Sequence, residues 1–111
     1  MTEVEATSKS LRVSPKKVRI VAKNFQGQKA LVAVDSLRFV SKKAAVPLAK
    51  VIKSAIANAK QNNKLAPEKL VIKEITVDEG PSLKRWRPAA RGAAHSILKR
   101  TSHIKVVLEG T

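Results

Sequence analysis

Cysteine and tyrosine are absent from this chain of 111 residues, glycine occurs only four times, and acidic side chains number just 8. Without cysteine there is no disulfide framework, no thiol nucleophile and no Cys-ligated metal site. Four scattered glycines build no glycine-rich phosphate loop. The two histidines, His95 and His103, lie eight residues apart, and no acid stands near them between Gly80 and Leu108. Neither a metal set nor a nucleophile triad is therefore visible. Asp78 and Glu79 form the one adjacent acidic pair, but neighbours on a strand point to opposite faces. They read as a polar lead into the Gly80-Pro81 turn rather than as a general acid and base. No stretch approaches the apolar length that spans a bilayer, and MTEVEATSKS has no basic segment followed by an apolar one. Together these absences predict a soluble, cytosolic chain that is not an enzyme and needs neither cofactor nor metal.

What the chain does have is positive charge. Its 23 Lys and Arg leave a formal net charge of +15, which repels itself in a compact state unless a polyanion neutralises it. Nucleic acid is the obvious partner. An anionic membrane surface fits worse, because the basic residues concentrate in a strand-like segment without the large apolar face of an interfacial helix. With 43% hydrophobic positions, a chain of this length closes one modest core and forms one domain, residues 1–111.

Periodicity places the elements. Residues 3–13 offer Val4, Ala6, Leu11 and Val13 to a half-buried strand. Ser14 then stands as a helix cap, with Pro15 at the first helical position. Val18, Val21, Ala22 and Phe25 form the buried stripe of that helix, and Gly27 closes it. A second helix is predicted over Lys29–Val40 through Leu31, Val34, Leu37 and Val40. The third runs from Ser41 to about Asn62, with Ala45, Leu48, Ile52, Ala55, Ile56 and Ala59 inward. Pro47 either bends this helix or marks where its regular part begins. Residues 61–69 read as a surface loop. LVIKEITV, residues 70–77, is a strand with Val71, Ile75 and Val77 on one face, and HIKVVLE, residues 103–109, is another through Ile104, Val106 and Leu108.

Between these two strands lies KRWRPAARGAAHSILKR, residues 84–100, with six Lys or Arg, the only Trp and no acid. If the flanking strands pair antiparallel, residues 80–102 continue them as a long hairpin turning near Pro88 to Gly92. Arms of about eleven residues, at roughly 3.3 Å each, reach on the order of 30 to 35 Å. From Gly80 to Leu108 there are seven Lys or Arg and no acid, so the hairpin cannot fold back into an apolar core. It must project into something negative. The globular part is thus about 1–79 and 103–111. Lys84, Arg85, Arg87, Arg91, Lys99 and Arg100 are the main candidates for phosphate contacts, and Arg12, Lys16, Lys17 and Arg19 form a second group. Trp86, between two arginines, suits stacking on an unpaired base, though a cross-strand packing role would also explain it. Ser14, Thr101 and His103 complete the candidate nucleic-acid-binding set, with His103 also suited to hydrogen bonding at its strand's start.

Four blocks carry a resemblance: SPKKVRIVA, SKKAAVPLAKVIKSAIANA, ITVDEGPSLKRWRPAARGAA and ILKRTSHIKVVLEG, in this order and at these spacings. Together they cover essentially the whole chain, and it resembles the bacterial large-subunit ribosomal proteins of the L-twenty-two family. The resemblance implies an α+β fold: a three-stranded antiparallel sheet packed against three helices, with one long projecting β-hairpin. It further implies a structural protein of the large ribosomal subunit that binds rRNA early in assembly, touches neighbouring ribosomal proteins, and does no chemistry. Its hairpin would thread through rRNA to the wall of the nascent-peptide exit tunnel, and changes there alter sensitivity to macrolides. By position, the tip that meets the nascent peptide would be Arg87, Pro88, Ala89, Ala90, Arg91, Gly92 and Ala93. No membrane and no small-molecule substrate is implied, and the location is the ribosome in the cytoplasm. The chain departs from the family pattern at Ala89 and Ala93, where basic residues are usual.

The rival reading is an architectural DNA-binding protein, whose dimers also extend basic β-ribbon arms with a proline near the tip. It accounts for the charge, the hairpin and Pro88. It does not account for the helical layer or the four blocks.

Overall fold

The computed structural model describes residues 2–40, 43–81, 83–88 and 94–110, with only the backbone course given at Ser10, 83–88 and 94–99. In chain order the elements are β1 (Thr2–Leu11), α1 (Pro15–Ala22), α2 (Ala30–Leu37), α3 (Ala45–Asn62), a single 3-10 turn (Pro67–Lys69), β2 (Val71–Glu79), β3 (Leu83–Pro88), β4 (Ala94–Lys99) and β5 (Ser102–Gly110). β1, β5 and β2 form an antiparallel sheet in that spatial order, and β3 pairs with β4 in a separate two-stranded sheet. The architecture is the α+β arrangement that the sequence predicts.

The C-terminal strand takes the centre of the sheet because it is the most apolar. Ile104, Val106 and Leu108 are fully buried on the face that meets the helices, and Val107 is buried on the opposite face. Val4 and Ala6 of β1 and Ile72, Ile75 and Val77 of β2 complete the inner face. Predicted alternation in β2 put Val71 inward; the structure puts Ile72 there instead. A register shift between Ile72 and Glu74 inserts one extra residue, so two residues rather than one separate the inward Ile72 from Ile75. Strict period-two reading fails wherever such a bulge falls.

The helices show similar local corrections. α1 stops at Ala22, and Lys23–Gly27 form a tight turn in which the Asn24 and Phe25 amides donate to the carbonyls three residues back. Phe25 is buried from that turn, and Gly27 has a left-handed φ of 85°, a conformation glycine adopts without steric cost. The Gly27 amide donates to the Ile72 carbonyl at 2.8 Å, which ties the turn to β2. In α2 the inward residues are Ala30, Ala33, Val34 and Leu37, while Leu31 lies on the exposed side. The small alanines let the helix start close to the sheet, where the Ala30 amide donates to the Leu70 carbonyl at 3.0 Å. α3 begins at Ala45, so Pro47 occupies the first turn, where its missing N–H has no intrahelical acceptor to lose. This settles the choice that Pro47 left open. Leu48, Ile52, Ala55 and Ala59 are fully buried and Val51 joins them; Ile56 is only half-buried. Burying Leu48, Val51 or Ile52 contributes roughly 1.5 to 3 kcal/mol each, and the alanines less.

Beyond the sheet, β3 and β4 pair from Leu83↔Lys99 to Pro88↔Ala94. Each strand therefore has six residues, short of the uninterrupted arms that the sequence suggests, because the ladder breaks after Glu79↔Ser102 and restarts at Leu83↔Lys99. The principal extents of the molecule, 63 × 25 × 18 Å, match a ribbon standing out from a small body.

Candidate nucleic-acid interface

The interface begins with charges that the fold does not use. Lys16 and Lys17 lie exposed in the first turn of α1, where backbone N–H groups and the helix dipole already present positive potential. No acidic residue offsets them in that turn, and Ser14 makes no side-chain cap bond. Two cations in this place cost stability, which an arriving anion recovers. Arg12, just past β1, is exposed beside them.

Arg19 is different. Its Nε and one terminal nitrogen both donate to the Val77 carbonyl, at 3.1 and 2.7 Å, and so clamp α1 to the far end of β2. Its guanidinium is positioned by the fold while the residue stays exposed. The start of β5 is held to the start of α1 in the same manner, by the Ser102 hydroxyl donating to the Val13 carbonyl. These two ties bring the basic first turn of α1 next to the root of the ribbon.

The root itself is closely packed. The Gly80 amide donates to the Thr101 carbonyl at 3.0 Å, and the Thr101 hydroxyl donates to the Pro81 carbonyl. A Cβ at Gly80 would lie 2.5 Å from the Thr101 hydroxyl oxygen and 3.1 Å from His103 Cε1, so glycine is required for this approach. Thr101 is 3% exposed. Its hydroxyl thus serves the junction, and sequence reasoning missed that role because nothing local distinguishes a junction threonine from one that faces a ligand. His103 is half-buried against the same glycine.

Of the remaining candidates, Arg100 is exposed and pairs with Glu79 at 3.4 Å, a surface contact worth little. Lys84, Arg85, Arg87 and Lys99 lie on β3 and β4, with Trp86 among them and paired in register with Ser96. Arg91 and the tip residues Ala89, Ala90, Gly92 and Ala93 lie outside the described residues.

Further acids lie on the outer face of the sheet. Glu3 pairs with Lys73 and Glu5 with Lys105 across the sheet face turned away from the helices. The Lys73 ammonium is pushed above the usual lysine range, first by its hydrogen bond to Glu3 and then by that carboxylate's charge. Among the described residues no group of His, Asp and Glu is arranged to hold a metal ion, and no helix is long and apolar enough to cross a membrane.

Comparison with known proteins gives the arrangement its relatives. The family model described as "Ribosomal protein L22p/L17e" matches residues 6–109. The chain is 51% identical over 107 residues to the large ribosomal subunit protein uL22 of Desulfotalea psychrophila, covering 96% of this chain and 97% of that one. It is 46% identical over 106 residues to the uL22 protein of Mycoplasma mycoides, covering 96% of each. To that of Akkermansia muciniphila it is 49% identical over 106 residues, covering 96% of this chain and 95% of the relative. With the family model matching residues 6–109 and near-complete coverage of these relatives, the chain belongs to the ribosomal protein L22p/L17e family, whose members are structural, non-enzymatic proteins of the large ribosomal subunit.

Proposed function

We propose that this protein is an rRNA-binding constituent of the large ribosomal subunit, at work in the cytoplasm, with its body as anchor and its hairpin threaded through folded RNA. The chain acts as one binding unit, residues 1–111: a body of about 1–79 and 103–111 and a hairpin of about 80–102. The observation that carries this reading is the charge itself: two exposed lysines in a first turn of α1 that holds no acid, and six Lys or Arg with no acid over residues 84–100. Lys84, Arg85, Arg87, Arg91, Lys99 and Arg100 neutralise phosphates along the ribbon, and Arg12, Ser14, Lys16, Lys17 and Arg19 do so on the body. Thr101 and His103 shape the junction from which the ribbon leaves, and any RNA contact they make is at that root.

The same reading extends to assembly and to the exit tunnel. A ribbon of this charge docks as the RNA folds around it, which makes the protein an early assembly component with neighbouring ribosomal proteins as further partners. The tip, Arg87 to Ala93, would line the tunnel and meet the nascent peptide. Small side chains at Ala89, Ala90 and Ala93 suit a turn in a confined channel. With alanine at 89 and 93, Trp86 strengthens docking by stacking on a base.

Cosedimentation of the tagged chain with ribosomal subunits, after a high-salt wash that strips loosely held basic proteins, tests the reading. Retention on the large subunit is expected; recovery on chromosomal DNA instead would favour an architectural DNA-binding role. Within the ribbon, Trp86→Ala is expected to weaken rRNA binding more than Lys99→Ala in a titration, and equal effects would contradict the stacking role.

A further inference from the structure

A cleft of about 390 Å³ opens between the end of β1, the first turns of α1 and the turn before α3, within the range of roughly 300 to 1,000 Å³ typical of small-ligand sites. Arg12, Lys17 and Lys43 reach it from three separate parts of the chain, and among the described residues no carboxylate lines it. The rest of its wall is mainly apolar, made by Val13, Ile20 and Ala44. Ile20 is 53% exposed although its helix neighbours Val18, Val21 and Ala22 are buried. The core leaves about half of this isoleucine uncovered.

Charge and apolar wall together restrict the occupant. A free phosphate satisfies the cations and leaves the wall wet. Duplex RNA presents phosphates and sugars, with its base faces already stacked on one another. An unpaired nucleotide offers both an anionic phosphate and a flat apolar base. We propose that this cleft captures one unpaired nucleotide of RNA, its base against Ile20 and Val13 and its phosphates against Arg12, Lys17 and Lys43. The Ser14 hydroxyl, which caps no backbone amide, is placed to bond the sugar or base edge. The inference rests on the RNA-binding reading above and adds Ile20, Val13 and Lys43 to the residues that perform it.

Methyl-resolved NMR of the full chain tests the proposal directly. Titration with a single-stranded adenylate dodecamer is expected to move the Ile20 δ-methyl resonance upfield, as a base ring stacked on it must, and to leave buried Ile72 in place. Inorganic phosphate and hexaglutamate are expected not to reproduce the shift. No movement at saturating oligonucleotide would overturn the proposal. So would an equal shift from phosphate or hexaglutamate, the latter pointing to an acidic protein segment as occupant. Ile20→Ser, at an exposed position that leaves the core intact, is expected to weaken single-strand binding by roughly 3- to 10-fold without changing duplex binding. Equal losses on both, or none, would also contradict it. Failure of the RNA reading itself has a separate signature, loss of the unmodified chain from salt-washed large subunits, so the cleft can fail while that reading stands.

Discussion

Two antiparallel sheets occur among the described residues, and they are stabilised by different things. The β1-β5-β2 sheet has an apolar inner face covered by α1 and α3, with α2 packed on α3, and its outer face pairs acids with lysines. Among the described residues the β3–β4 ribbon pairs only with itself, and its segment of the chain has six Lys or Arg and no acid over residues 84–100. An isolated two-stranded hairpin is at best marginally stable in water. The body therefore carries its stabilising partner within the chain, whereas the ribbon must find its partner outside. On the proposed reading, the same backbone pairing serves a core in one case and a polyanion in the other.

That contrast can be broken from either side. Replacing residues 84–99 with a short glycine-serine link is expected to abolish retention on salt-washed large subunits. The body's urea unfolding free energy should change by no more than about 1 kcal/mol, the scale of a modest change in loop closure. Loss of the body's cooperative transition would show that the two sheets are not separable. In the opposite direction, Ile52→Ala in the fully buried centre of α3 is expected to cost about 2 to 5 kcal/mol in denaturant titration. At temperatures where the body stays folded, its rRNA affinity should remain.

Gly80→Ala strikes the junction between the two. Its added Cβ collides with a threonine already bonded to the Pro81 carbonyl, so a cost of roughly 1 to 3 kcal/mol and weaker large-subunit retention are expected. Unchanged retention would show that the ribbon tolerates re-aiming at its root. The smallest effect sharpens the comparison by sign. Lys16→Gln and Lys17→Gln should each stabilise the free protein by about 0.3 to 1 kcal/mol by relieving the start of α1. Each should also flatten the salt dependence of rRNA binding by about one unit of slope. Destabilisation by either change would show that these lysines serve the fold.

Much of this contrast was legible in the sequence. Absence of acid from residue 80 to 108 marked the ribbon, and i, i+3, i+4 spacing marked α3. Less legible were features set by tertiary contact. The bulge after Ile72 turned Val71 away from the core, and the close start of α2 rotated its buried face from Leu31 to Ala30 and Ala33. At the interface, charge pointed to Lys16 and Lys17 directly. It did not reveal that Arg19 clamps β2, that Thr101 closes the root, or that Ile20 and Lys43 share a cleft. Those roles depend on partners 58, 20 or more residues away, which no local pattern encodes.

Hydrogen–deuterium exchange on the free protein and on the protein within the large subunit tests most directly whether the ribbon takes its order from RNA. Amides of β1, β2 and β5 are expected to be protected in both states, and those of β3 and β4 only in the subunit. Ribbon amides as well protected as the sheet in the free protein would contradict this division, as would ribbon amides that exchange freely once the subunit is assembled.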